Sequence, residues 1–154
     1  MLSVSMEETP ALRAARMPPR PTGLPFRRAW TAVPQNVADV RRTVVEQVRR
    51  FGATPAALAA VELAVSEAMT NAVQHAYVET GEPGPVTVTV EHEEACVLVS
   101  VQDEGGGMRP RPDSPGLGLG LPLISQMTQS FEVHQPPGGG TLLCMRFDAQ
   151  RGQL

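Results

Sequence analysis

Apolar residues recur along this chain with two periods. Val37, Val40, Val44, Val45 and Val48 return at spacings of three and four and predict an amphipathic helix from about Pro34 to Phe51. A second such run, with Leu58, Val61, Val65, Ala68, Met69, Ala72 and Val73 on one face, predicts a helix from about Pro55 to Tyr77. Thr54 suits its N-cap, and Pro55 sits where a first turn tolerates proline. Gly81-Glu82-Pro83-Gly84 is a turn signal. After it the period changes to two: Val86, Val88 and Val90 alternate with threonines, and Val97, Val99 and Val101 alternate in a neighbouring strand. A strand around Phe26 to Ala32, a helix around Leu119 to Gln129, and strands near Phe131 to His134 and Thr141 to Phe147 complete the series. This order predicts an α+β fold, a two-layer sandwich with helices packed on one face of a mixed, mainly antiparallel sheet.

Composition adds few constraints. With 154 residues, 42% of them hydrophobic, the chain has enough apolar surface for one core. Residues 1–25, rich in Pro, Arg and small side chains, read as a flexible arm with no signal-peptide stretch; 26–148 read as the folded domain and 149–154 as a tail. No segment is expected to supply the roughly 20 apolar residues that cross a bilayer. Cys96 and Cys144 each lie in an apolar strand pattern, where a small buried hydrophobe is the default reading, and a reducing cytoplasm is the expected home. Every basic residue is arginine. Through Arg50 there are nine arginines against four acids; beyond it there are four against twelve. With 4% aromatic content and an acidic body, the chain does not read as a nucleic-acid binder. The arginine-rich arm and first helix suit an acidic partner or, equally, a solvated face.

The chemistry concentrates in two places. Strand Cys96 to Val101 runs into Asp103-Glu104-Gly105-Gly106-Gly107, and a second glycine cluster follows at Gly116-Leu117-Gly118-Leu119-Gly120. A carboxylate at a strand end offers a hydrogen-bond acceptor beside backbone that a flat ring can approach. Glycine-rich backbone at a helix start offers N–H groups for phosphates. The second place is the long helix, where Glu67, Asn71 and His75 stand four residues apart and form one stripe. Asn and His are poor mid-helix formers, so a stripe of them in so apolar a segment needs a reason other than solvation.

These residues carry a resemblance. Glu67 to Tyr77 resembles the N box of the Bergerat-fold (GHKL) ATPase superfamily, Asp103 to Gly107 its D-x-G-x-G box, and Gly116 to Leu121 its glycine-rich G2 box. The match runs from about Arg28 to Phe147, and the N box is most similar to that of bacterial anti-sigma-factor serine/threonine kinases of the partner-switching type. The resemblance implies an ATP-binding kinase domain that uses Mg²⁺. Asn71 would be the metal ligand, through its carbonyl oxygen, and Glu67 the catalytic carboxylate that orients or deprotonates an attacking hydroxyl, of a protein serine or of water. Asp103 would accept a hydrogen bond from the adenine amine, and Gly105 would let the ring approach. Gly107 would be a lid hinge, and Gly116, Gly118 and Gly120 would present N–H groups to the phosphates. Thr141 matches a family position near the adenine. His75 reads as a packed or capping residue, and Tyr77 as a packing residue.

The implied partners are an anti-sigma-factor antagonist bearing the phosphoacceptor serine and a sigma factor, with a homodimer as a further expectation, and neither nucleic acid nor a membrane. The chain departs from the family at the lid: Met108 to Pro115, eight residues with three prolines, is short for this group. No lysine stands near the phosphates, so neutralisation would fall to Mg²⁺, helix N–H groups and Arg109 or Arg111. Two alternatives stay open beside the kinase: a nucleotide-binding module that switches partners with little transfer, and a detached histidine-kinase-like ATPase domain.

Overall fold

The computed structural model of the chain describes residues 23–106 and 121–150. The predicted elements are present: β1 (Phe26–Thr31), α1 (Pro34–Arg50), α2 (Pro55–Asn71) continued by a π-helical turn (Ala72–Ala76), β2 (Pro85–Glu93), β3 (Cys96–Asp103), α3 (Leu121–Met127), β4 (Ser130–His134) and β5 (Thr141–Asp148). The first helix starts without a side-chain cap at Val33. At the second, Thr54 Oγ1 accepts from the Ala57 amide at 3.2 Å, and the Thr54 amide itself donates to the Ala149 carbonyl at 2.9 Å. That cap therefore fixes the start of α2 against the end of β5.

The strands form one sheet in the order β1-β2-β3-β5-β4. The expected mixed sheet is antiparallel in all four ladders. The reason is the placement of β5. The α3 connection returns the chain so that β4 runs parallel to β3, but β5 inserts between them and pairs antiparallel with both. Among the described residues, the three α-helices pack on one face of the sheet.

Period-two alternation decides which side chains face the helices. Val86, Val88 and Val90 of β2, Val97, Val99 and Val101 of β3, and Leu143, Met145 and Phe147 of β5 are buried. Each such side chain contributes about 1.5–3 kcal/mol on leaving water. From α1 the core takes Val40, Val44 and Val48, and from α2 it takes Ala60, Val61, Ala64, Val65, Ala68 and Met69. Trp30 of β1 is buried among them and donates through Nε1 to Asp39 of α1 at 2.8 Å.

Contrary to expectation, among the described residues one helical stretch has the length and composition of a membrane span: Pro55–Ala76, 22 residues with an 18-residue window of mean hydropathy 1.3. Half of its most apolar window is buried within the fold, which is what a helix laid across a sheet requires. Both cysteines are free and half-buried.

Candidate functional site

The same alternation that builds the core places a carboxylate on its face. Counting by twos from Val97 through Val99 and Val101 reaches Asp103, the last residue of β3, which is 8% exposed. Its cross-strand partner in the register is Thr141, the first residue of β5, equally inward at 4%. A polar pair thus closes one end of a valine-lined floor. The helix above supplies the roof. Asn71 continues the inward row of Ala64 and Ala68 and is buried at 9%.

Asn71, His75, Asp103 and Thr141 line one partly enclosed cavity of about 30 Å³, whose other walls are Ala68, Ala72, Ala76, Val101 and Leu143. Among the described residues, three buried side-chain atoms have no hydrogen-bond partner: Asn71 Nδ2, His75 Nε2 and Glu93 Oε2. Glu93 Oε2 is 3.1 Å from Arg146 Nη1, an ion pair outside the cavity that lacks hydrogen-bond geometry. The other two belong to cavity-lining residues. A buried polar atom left unpaired costs about 1–3 kcal/mol, so a pair of them around one small space marks a place built to receive polar atoms from elsewhere.

The Asp103 carboxylate is held from its own backbone. Oδ1 accepts from the Gly105 amide at 3.0 Å. Burial raises its pKa from the ordinary aspartate value, opposed by the hydrogen bonds from the Gly105 and Thr141 amides, which favour the ionised form. The next amide, that of Gly106, donates to the Ala76 carbonyl at 2.9 Å. That contact leaves no room for a side chain at 105, where a Cβ would fall 1.8 Å from the Ala76 oxygen. Gly105 is thus required by the approach of the π turn to the loop, a local reason independent of any ligand.

The structure brings together Asn71, Asp103 and Thr141, with Gly105 beside them. It does not bring Glu67 to the cavity wall: that residue lies one turn before Asn71, half-buried. Gly107, Gly116, Gly118 and Gly120, together with Arg109, Arg111 and the whole of Met108–Pro115, lie outside the described residues. Asn71 is not on a polar face of its own, as the stripe suggested; it shares the inward side with small apolar residues. His75, read as packed or capping, is a lining residue with a buried, unpartnered nitrogen, and its four-residue spacing from Asn71 was the available signal. The π turn was not expected; such single wide turns recur at functional sites.

A family model described as a histidine kinase-like ATPase domain matches residues 30–147. The chain is similar to an anti-sigma F factor of Pasteuria penetrans, 32% identical over 129 residues covering 75% of this chain and 85% of the relative. It is also similar to an anti-sigma F factor of Bacillus licheniformis, 27% identical over 127 residues covering 74% of this chain and 85% of that protein. Among solved structures, it shares its fold with a crystal structure of RsbU and RsbW domains from Mycobacterium tuberculosis. There the TM-score is 0.64 and the identity 22%, covering 85% of this chain and 34% of that one, and the likeness bears on the fold alone.

Proposed function

This chain belongs to the histidine kinase-like (GHKL) ATPase family, and from that premise we propose that it is an ATP-dependent serine-protein kinase of the anti-sigma-factor type. It would transfer the γ-phosphoryl group of ATP to a serine of an antagonist protein, hold a sigma factor in turn, and work in the cytoplasm. The observation that carries the nucleotide part is the cavity shared by Asn71, Asp103 and Thr141, with unpartnered polar atoms of Asn71 and His75 around it. The step from nucleotide to protein substrate is supported by the relatives named anti-sigma F factor.

A space of this size receives the edge of a flat ring rather than the whole of it. The Asp103 carboxylate accepts from the Gly105 and Thr141 amides, and with two lone pairs on each oxygen it retains capacity to accept from an exocyclic amine as well. Adenine carries an amine at that edge and guanine a carbonyl, so this acceptor selects ATP over GTP. Thr141, paired with Asp103 in the sheet register, borders the same edge. Among the described residues, no group of three or more His, Cys, Asp or Glu could hold a metal by itself. A lone buried carboxamide suits Mg²⁺, which takes few protein ligands, keeps its waters and shares the phosphates. When bound, Mg²⁺ neutralises the charge of the triphosphate. Asn71 would direct its amide oxygen to that cation. Glu67, one turn earlier, would orient the serine hydroxyl or accept its proton. Gly107, Gly116, Gly118 and Gly120 would supply the lid hinge and the N–H groups for the phosphates.

Glu67 stands apart from the cavity wall, and that observation favours a second reading, a nucleotide-gated switching module with little transfer. One experiment separates the two. The protein is incubated with γ-labelled ATP, Mg²⁺ and candidate antagonists encoded beside it. Label on an antagonist serine supports the kinase, whereas ATP-dependent complex formation without label supports the module. Binding of neither ATP nor antagonist refutes both.

A further inference from the structure

Tyr77 follows the π turn directly, and its phenol hydroxyl is used twice. It donates to the main-chain carbonyl of Pro85, the first residue of β2, and accepts from the amide of Glu104, just beyond β3, at 2.9 Å. The single phenolic proton and an acceptor lone pair are both engaged. The ring lies against Gly84, where a Cβ would fall 2.3 Å from the ring's Cε1. The Gly84 carbonyl in turn accepts from the Ala32 amide at 2.9 Å, tying that turn to the end of β1. Tyr77 therefore closes the end of the β2–β3 ladder, one residue beyond its last pair, Val86 with Asp103.

The consequence lies just after Asp103. Three consecutive amides are held by three different groups: Glu104 by the Tyr77 oxygen, Gly105 by Asp103 Oδ1, and Gly106 by the Ala76 carbonyl. Two of these anchors, Ala76 and Tyr77, are adjacent at the end of the helix that carries Asn71 and His75. The Gly105 bond couples the direction of the Asp103 carboxylate to the peptide planes on either side of Glu104. The Thr141 amide holds the same carboxylate from β5, so a turn of the Glu104 amide moves one of its two anchors relative to the other.

We propose that Tyr77 is a positioning residue for base recognition: by holding the Glu104 amide it keeps one Asp103 oxygen aimed into the cavity, and so sets the preference for adenine without touching the nucleotide. The proposal rests on the nucleotide reading given above. It fits the state of the phenol. Burial raises the Tyr77 pKa above its ordinary value, opposed by the Glu104 amide and aided by the Asp103 and Glu104 charges, so the hydroxyl keeps its proton and goes on donating at neutral pH.

The test is Tyr77→Phe in the full chain, which keeps the ring over Gly84 and removes only the hydroxyl. ATP and inosine triphosphate, which carries a carbonyl in place of the amine, are titrated with Mg²⁺ into wild type and variant, with thermal melts alongside. Affinity for ATP falls about fivefold while that for inosine triphosphate changes by less than about twofold, so the adenine preference shrinks. A residue that only supported the fold would lower both affinities alike, and a parallel loss, or no loss of either, overturns the proposal. Gly84→Ala is the second variant, since it leaves the phenol intact but forces the ring aside, at a backbone position outside the left-handed region. It produces the same selective loss, and an unaltered preference in this variant counts against the proposal even if Tyr77→Phe folds poorly. A wild type that does not distinguish the two nucleotides overturns the nucleotide reading itself, and the proposal with it.

Discussion

Alanine at Gly105 is the sharpest test of how the loop after β3 is held. The backbone there does not occupy the left-handed region, so alanine brings no conformational penalty of that kind. What it brings is a Cβ 1.8 Å from the Ala76 oxygen and 2.5 Å from its carbonyl carbon, both main-chain atoms of a buried residue that cannot rotate away. Overpacking of this sort costs about 1–3 kcal/mol, and separating the loop from the π turn also breaks the Gly106–Ala76 hydrogen bond, worth about 1 kcal/mol. The expected loss is about 2–4 kcal/mol, a fall in melting temperature on the order of 10 °C for a domain of this size. Gly106→Ala is the matched control, because its Cβ meets nothing closer than Glu79 Oε2 at 3.5 Å, an ordinary contact. Circular-dichroism melts of both variants, followed by ATP titration, measure the contrast. The reasoning is refuted if Gly105→Ala melts with Gly106→Ala and binds ATP as the wild type does.

Two further predictions concern the chemistry. The Asp103 pKa is raised in the fold, so its protonation favours the folded chain: that contribution is fully present below the unfolded carboxylate value and is lost as pH rises through the folded value. ATP binding has the opposite sign, since it uses the ionised acceptor. Affinity therefore declines on acidification at a higher pH than an ordinary aspartate would give, a decline absent from Asp103→Asn, as titrations across pH would show. Glu67→Gln retains ATP affinity within about twofold but lowers phosphoryl transfer to an antagonist serine by about 100-fold or more, in line with loss of a general base; a variant that transfers at the wild-type rate removes Glu67 from the reaction.

Much of the fold was legible because its signals are local. The valine alternation of β2 and β3 is a period-two pattern that only a half-buried strand satisfies, and Thr54-Pro55 announces a helix start that the observed cap bears out. By contrast, which side of α2 faces the sheet was harder to read, because the helix is apolar around most of its girth and a periodicity argument loses its contrast there. For that reason the four-residue spacing of Glu67, Asn71 and His75 suggests a separate face, although Asn71 lies inward. The antiparallel β3–β5 neighbourhood depends on where the last strand inserts, a non-local choice. The role of Tyr77 left no trace either, since both of its hydrogen-bond partners are backbone groups, and any residue except proline at 104 offers the same amide. The π turn ends at Ala76, whose carbonyl accepts from the Gly106 amide of a distant loop, a contact that sequence periodicity does not register.

The account stands or falls on Asn71 and Asp103 serving one nucleotide. Calorimetric titration of ATP with and without Mg²⁺ into wild type and Asn71→Ala addresses this most directly. The wild type binds ATP more tightly with the metal, and the variant loses the metal-dependent part while a melt shows it still folded. Mg²⁺-dependent affinity that survives the substitution, or a wild type indifferent to ATP, contradicts the site.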